Sequence, residues 1–149
     1  MADKKFAVLA HSPERLNVIS TKIGAAKGEN YTDKDVEKAV KMGTVSNYVL
    51  CEDGDDLEGF IDNIDGGGTT GGFVFGGVAH PNSGFRVEVN TTEKVVVRDT
   101  VVAAAQLALG TKGLAQVKKG PGVLFKYRVI ALLGDGTGNA NTTVLLEKV

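Results

Sequence analysis

Near its C-terminal end the chain reads KYRVIALLGDGTGNANTTVLLEKV, residues 126–149, two apolar runs joined by GDGTGNAN. A glycine-rich link holds phosphate when it follows a strand and opens a helix, because the N–H groups of the helix start then face the anion. Gly134 and Gly136 fit the G-x-G-x-x-G spacing, but the third glycine position is Asn139. Residues Thr142 to Leu146 are rich in β-branched and leucine side chains with no helical spacing, and the Gly-Lys-Ser/Thr of a Walker loop is absent from the chain. Tyr127, Val129, Ala131 and Leu133 alternate with Arg128, Ile130 and Leu132, and Val144 and Leu146 alternate with Thr143, Leu145 and Glu147. This pattern predicts two strands and a turn built from Gly, Asp and Asn, not a phosphate loop.

The second stretch with chemical potential is CEDGDDLEGFIDNID, residues 51–65, where Glu52, Asp53, Asp55, Asp56, Glu58, Asp62 and Asp65 occur without a basic residue. An EF-hand loop requires oxygen ligands at fixed alternating positions, a central glycine and a terminal bidentate Glu. Asp53, Asp55 and Asp62 do not fall in that register, so the stretch predicts a solvated acidic turn between strands, with a looser cation site as the competing reading. Histidine occurs at His11 and His80 and cysteine only at Cys51, too few for a zinc site. A Cys51–His80 nucleophile pair is conceivable, but the neighbouring acids would raise the thiol pKa and weaken it. Neither G-x-S-x-G nor HExxH occurs. Lys118 and Lys119, with Lys112 nearby, form a small basic patch that reads as a solvated surface, with a contact to an acidic partner as the runner-up. No catalytic residue, cofactor or metal is therefore expected.

The elements that would position these residues follow from composition and periodicity. A chain of 149 residues fits one domain, large enough to bury a core without disulfide staples. Its formal charge of −1 argues against a general nucleic-acid or membrane surface, and its lone cysteine fits a reducing compartment. The apolar run in MADKKFAVLAHS is too short for a signal peptide, and no stretch approaches a membrane span. Twenty glycines without a tryptophan, among many valines and threonines, point to short strands and tight turns.

Residues 1–31 admit two readings. Ser12-Pro13-Glu14 can start a helix, with Leu16, Ile19 and Ile23 on one face; alternatively the segment is an extended arm that docks elsewhere. Thr32 to Met42 predicts one short helix, opened by a Thr32/Asp35 capping box, striped by Val36, Ala39 and Val40 and ended at Gly43. From Thr44 onward the chain predicts strands at Val45–Cys51, Leu57–Ile64, Phe73–Val78, Phe85–Val89, Val95–Val97, Thr100–Ala105 and Leu114–Val117, before the terminal hairpin. A helix over 100–109 is the alternative to the strand there. The fold expectation is mainly β, a small barrel or sandwich at residues 44–149, preceded by an N-terminal arm with one short helix at residues 1–43.

The runs GDDLEGFIDNID (54–65), GGFVFGGVAHPNSGFRVEV (71–89), VVVRDTVVAAAQLALGTKGLAQVKKG (95–120) and FKYRVIALLGDGTGNANTTVLLEKV (125–149) together resemble the decoration, or cement, proteins of tailed-bacteriophage heads. The resemblance covers roughly two-thirds of the chain and lies in the order of strands and turns, not in one motif. Residues 1–43 depart from the pattern. The resemblance implies a barrel-like or β-tulip domain on the outer capsid surface of the virion, assembled in the host cytoplasm. It also implies that the domain stabilises the shell by bridging major capsid protein subunits, as a homotrimer, with the N-terminal arm along the shell. On that reading Leu16, Val18, Ile19, Ile23, Val36 and Val40 are the expected capsid interface, and neither nucleic acid nor membrane is a partner. A head-fibre or glycan-binding module and a small β-barrel enzyme are the competing expectations.

Overall fold

The computed structural model describes residues 6–7, 16–24, 31–44, 47–70 and 73–149. Within them lie eleven strands: β1 Phe6–Ala7, β2 Leu16–Ile23, β3 Ala39–Met42, β4 Asn47–Leu50, β5 Gly59–Thr70, β6 Phe73–Pro81, β7 Arg86–Thr91, β8 Thr100–Ala103, β9 Gln116–Lys119, β10 Tyr127–Leu132 and β11 Thr142–Lys148. The molecule is mainly β, as its composition predicts.

The strands form two sheets. The first is a closed barrel in the order β2-β4-β3-β5-β6. The second runs β1-β7-β11-β10-β8-β9, and β9 also pairs in parallel with β7, through Asn90↔Gln116 and Thr91↔Val117. That pairing returns the last strand to the second and closes β7-β11-β10-β8-β9 into a ring.

Strands β3, β5 and β6 lie between two cores. Val40, Ile61 and Val78 point into the barrel with Ile23, Tyr31, Tyr48 and Val74. Their neighbours Ala39, Phe60 and Ala79 point the other way, into a cluster with Phe85, Val87, Val89, Tyr127, Val129, Val144 and Leu146 of the second sheet. Alternation along a strand normally separates core from solvent. Here both faces are buried, which explains why GFI at the start of β5 reads as continuous apolar sequence. Phe60 meets Tyr127 edge to face, with ring centroids 6.1 Å apart.

The predicted strand at Phe85–Val89 forms from Arg86 onward as β7, with its expected faces: Phe85, just before it, and Val87 and Val89 are buried, while Arg86 and Glu88 are half-buried. The C-terminal hairpin also forms, β10 against β11, with a register shift between Val129 and Ala131. Its turn places Gly134, Gly136, Gly138 and Asn141 at positive φ, the chemistry that residue choice predicted. Residues 104–108 are neither helix nor strand. Val95–Val97 is not a strand either: Val95 donates its N–H to the Gly138 carbonyl, and Val96 and Val97 sit in a turn that Asp99 closes through the Val96 N–H at 2.8 Å.

Two expectations are corrected. The helix over 32–42 is replaced by one 3-10 turn, Asp33–Asp35, followed by β3. Its predicted capping box is present, with Thr32 Oγ1 and the Asp35 carboxylate each receiving a backbone N–H. After one turn Val36 adopts ψ 141° and Glu37 φ 83°. Glu37 N–H then donates to Ile61 O at 2.8 Å, and Ile61 N–H to Lys38 O at 3.0 Å. An isolated helix of this length is marginal, so ladder bonds to β5 and burial of Val40 outweigh its propensity. Residues 16–43 are likewise no separate arm. All of β2 pairs with β6, from Leu16↔Pro81 to Ile23↔Val74, and β3 pairs with both β4 and β5, so the division at residue 43 cuts through the barrel. Most of residues 1–15 lies outside the described residues.

Candidate interaction surface

The acidic segment 51–58 is a turn between β4 and β5 with Glu52 and Asp53 exposed, as expected, and several of its carboxylates also act as clamps. Asp55 pairs with Lys41 at 2.7 Å and accepts the Glu52 N–H, Asp53 pairs with Lys118, and Glu58 accepts the Met42 N–H. Asp56 reaches furthest along the sequence. Its carboxylate accepts the consecutive N–H groups of Val123, Leu124 and Phe125 at 2.9, 2.8 and 3.3 Å. Burial alone would raise the Asp56 carboxyl, but the three N–H bonds together hold it below its ordinary value.

The loop so held joins β9 to β10 and carries Val123 and Leu124 at 76% and 80% exposure, the most exposed large apolar side chains among the described residues. Gly122 has φ 64°, and a Cβ there would meet Phe125 O at 2.9 Å, so the turn requires glycine. Phe125 folds back beneath Lys148, whose Nζ lies 5.7 Å from the ring centroid.

A second apolar exposure lies on β2. Val18 and Ile19, neighbours that point to opposite faces, are 47% and 42% exposed. β4 pairs with β2 only at Lys22 and Ile23, so β2 runs on past the barrel mouth beside β6.

The expected interface residues therefore separate. Val18 and Ile19 are on the surface, and Leu16 heads β2 opposite Pro81. Ile23 and Val40 are 1% and 0% exposed within the barrel, and Val36 packs against that core. Ile23 and Val40 have no surface to offer a partner; their apolar area is used in the chain's own core. The Val123–Leu124 tip escaped sequence reading because its clamp, Asp56, lies 67 residues from Val123.

The residues considered for catalysis are engaged elsewhere. Cys51 is buried, its Sγ donating to Asp56 O at 3.4 Å. Burial first, then the charges of Asp55 and Glu58, push its thiol up to about 12. His80 Nε2 lies 2.7 Å from the Tyr48 hydroxyl, the rings meeting edge to face, and burial lowers its pKa. His11 lies outside the described residues. Lys118 pairs with Asp53, and Lys119 lies 4.0 Å from Asp99. Among the described residues no group of three or more His, Cys, Asp and Glu side chains is placed to hold a metal, and no helix is long and apolar enough to cross a membrane. In the glycine-rich turn, the Asp135 carboxylate accepts from the Thr137 N–H and hydroxyl.

A buried ion pair ties the two sheets together. Asp35 and Lys38 are both fully buried; Lys38 also donates to Ala108 O, and Asp35 also accepts the Gly110 N–H. Beside them Gln106 Oε1 accepts from Ala39 and Gln116 N–H, while its Nε2 donates to Ala104 and Gln116 carbonyls.

No family model matches the chain, and no curated protein and no solved structure matches it.

Proposed function

We propose that this chain is a structural virion protein. It binds the outer surface of a tailed-phage capsid and stabilises the shell by bridging major capsid protein subunits, as a homotrimer. The observation that carries the reading is apolar surface displayed on fixed backbone: Val123 and Leu124 on a clamped loop, and Val18 and Ile19 on β2. A protein that covers another protein's surface needs such preformed contacts, because each side chain already ordered lowers the cost of association. The order of strands and turns that resembles head-decoration proteins supports the same reading. Binding only the expanded shell would stabilise it by mass action.

The proposed contact surface keeps Val18 and Ile19 from the interface expected at residues 1–43, leaves out the buried Ile23 and Val40, and adds Val123 and Leu124. Among the described residues it comprises the outer part of β2 and the β9–β10 loop. The test is to identify a major capsid gene in the genome that encodes this chain and to measure cosedimentation of the full chain with purified expanded shells assembled from that protein; a genome without one would also overturn the proposal. Saturable binding and a higher shell melting temperature are expected. Absence of binding to such shells would overturn the proposal.

A further inference from the structure

We infer that the Val123–Leu124 tip is a preformed anchor for an apolar socket on the protein partner, and that carboxylates line the rim of that socket. The inference rests on the reading of the chain as a shell-binding protein and names the contact that does the binding.

Three features of the loop carry it. The apolar pair is more exposed than any other large apolar side chain described. Its backbone is fixed at three successive N–H groups by Asp56. Asp56 sits on a rigid base, because Gly54 N–H donates to Ala103 O and Ala103 N–H to Asp55 O, joining the acidic segment to β8. An apolar tip held still loses little freedom on docking, and burying its two side chains strengthens binding by about 10- to 100-fold each.

Charge selects the partner. From Lys118 to Arg128 the chain carries four basic residues and no acidic one. Lys118, Lys119 and Arg128 face Asp53, Asp99 and Glu147. Lys126, next in sequence to Phe125, and Lys148, over the Phe125 ring, have no carboxylate within ion-pair distance among the described residues. A second copy meeting tip to tip would bring these cations together, whereas a partner with carboxylates around an apolar socket would complement them. A fluid anionic membrane would also attract cations, but it gains nothing from a tip of fixed shape. The tip also lacks the Trp and Tyr side chains that favour a membrane interface.

The experiment measures binding of the full chain to the expanded shells described above. Val123→Ser with Leu124→Ser should weaken binding by about 100-fold or more with an unchanged melting temperature. Lys126→Glu with Lys148→Glu should weaken it and reverse its salt dependence. Asp56→Ala keeps the apolar pair but should speed hydrogen exchange at residues 123–125 and weaken binding, with Asp56→Asn intermediate. Val18→Ser with Ile19→Ser removes the other exposed apolar pair of the proposed contact surface and should weaken binding less than the tip variant does. If that variant loses binding while the tip variant keeps it, the shell-binding reading stands and the anchor assignment falls. If the unaltered chain ignores shells, both fall. Tip-dependent binding to phosphatidylcholine–phosphatidylserine vesicles in place of shells would overturn the protein-socket assignment.

Discussion

At Cys51 burial and neighbouring acidic charge act in the same direction on one thiol. The thiol ionises at about 12 in the native protein against an ordinary 9.0, with burial as the leading cause. Below pH 9.0 the thiol is neutral in both folded and unfolded chains, and its contribution to stability is complete. Between 9.0 and about 12 only the unfolded thiol releases its proton, so stability falls by about 1.4 kcal/mol per pH unit over that window. Denaturant unfolding from pH 8 to 11 (within the range where thiols titrate) should show a steeper alkaline loss for the parent than for Cys51→Ala. Equal slopes would mean that the thiol is not protected. The sequence indicated the direction, through the neighbouring acids, but not the larger cause, because burial of Cys51 depends on residues far along the chain.

At the level of elements, the turn at Asp33–Asp35 shows a correct local signal with a different continuation. The capping box forms, yet Lys38 turns inward to Asp35 and the chain enters β3. Removing one partner of a buried pair leaves the other charge uncompensated and costs about 3–5 kcal/mol. Lys38→Met should therefore lower the urea midpoint substantially, and Asp35→Asn with Lys38→Met should recover part of the loss. A loss below about 1 kcal/mol for Lys38→Met would place the pair with ordinary surface ion pairs. The partners that decide this conformation, Ile61, Gln106, Ala108 and Gly110, are 24 to 75 residues from the side chains and N–H groups they engage. No window around Thr32 contains them.

For the molecule as a whole, the shared layer β3, β5 and β6 makes the two sheets mutually dependent. Phe60 leaves the barrel to fill the second core, so loss of either sheet exposes the other. Unfolding followed by tyrosine fluorescence, which reports Tyr31 and Tyr48 in the barrel and Tyr127 in the second sheet, should coincide with unfolding followed by backbone circular dichroism. Phe60→Ala should shift both curves together by about 3–5 kcal/mol; separate transitions would show that the sheets fold independently. By itself the sequence determined the β class, the alternation of Phe85 to Val89, the C-terminal hairpin and the capping box at Thr32, because those signals rest on neighbours two to four residues away or on turn chemistry. Only the tertiary structure decided that Leu16–Ile23 is a barrel stave, that Thr32–Met42 is a turn and a strand, and that Asp56 fixes an apolar tip. Those outcomes depend on hydrogen bonds and burial between segments remote in sequence, and the free energy of such contacts exceeds the small local preferences that sequence patterns report.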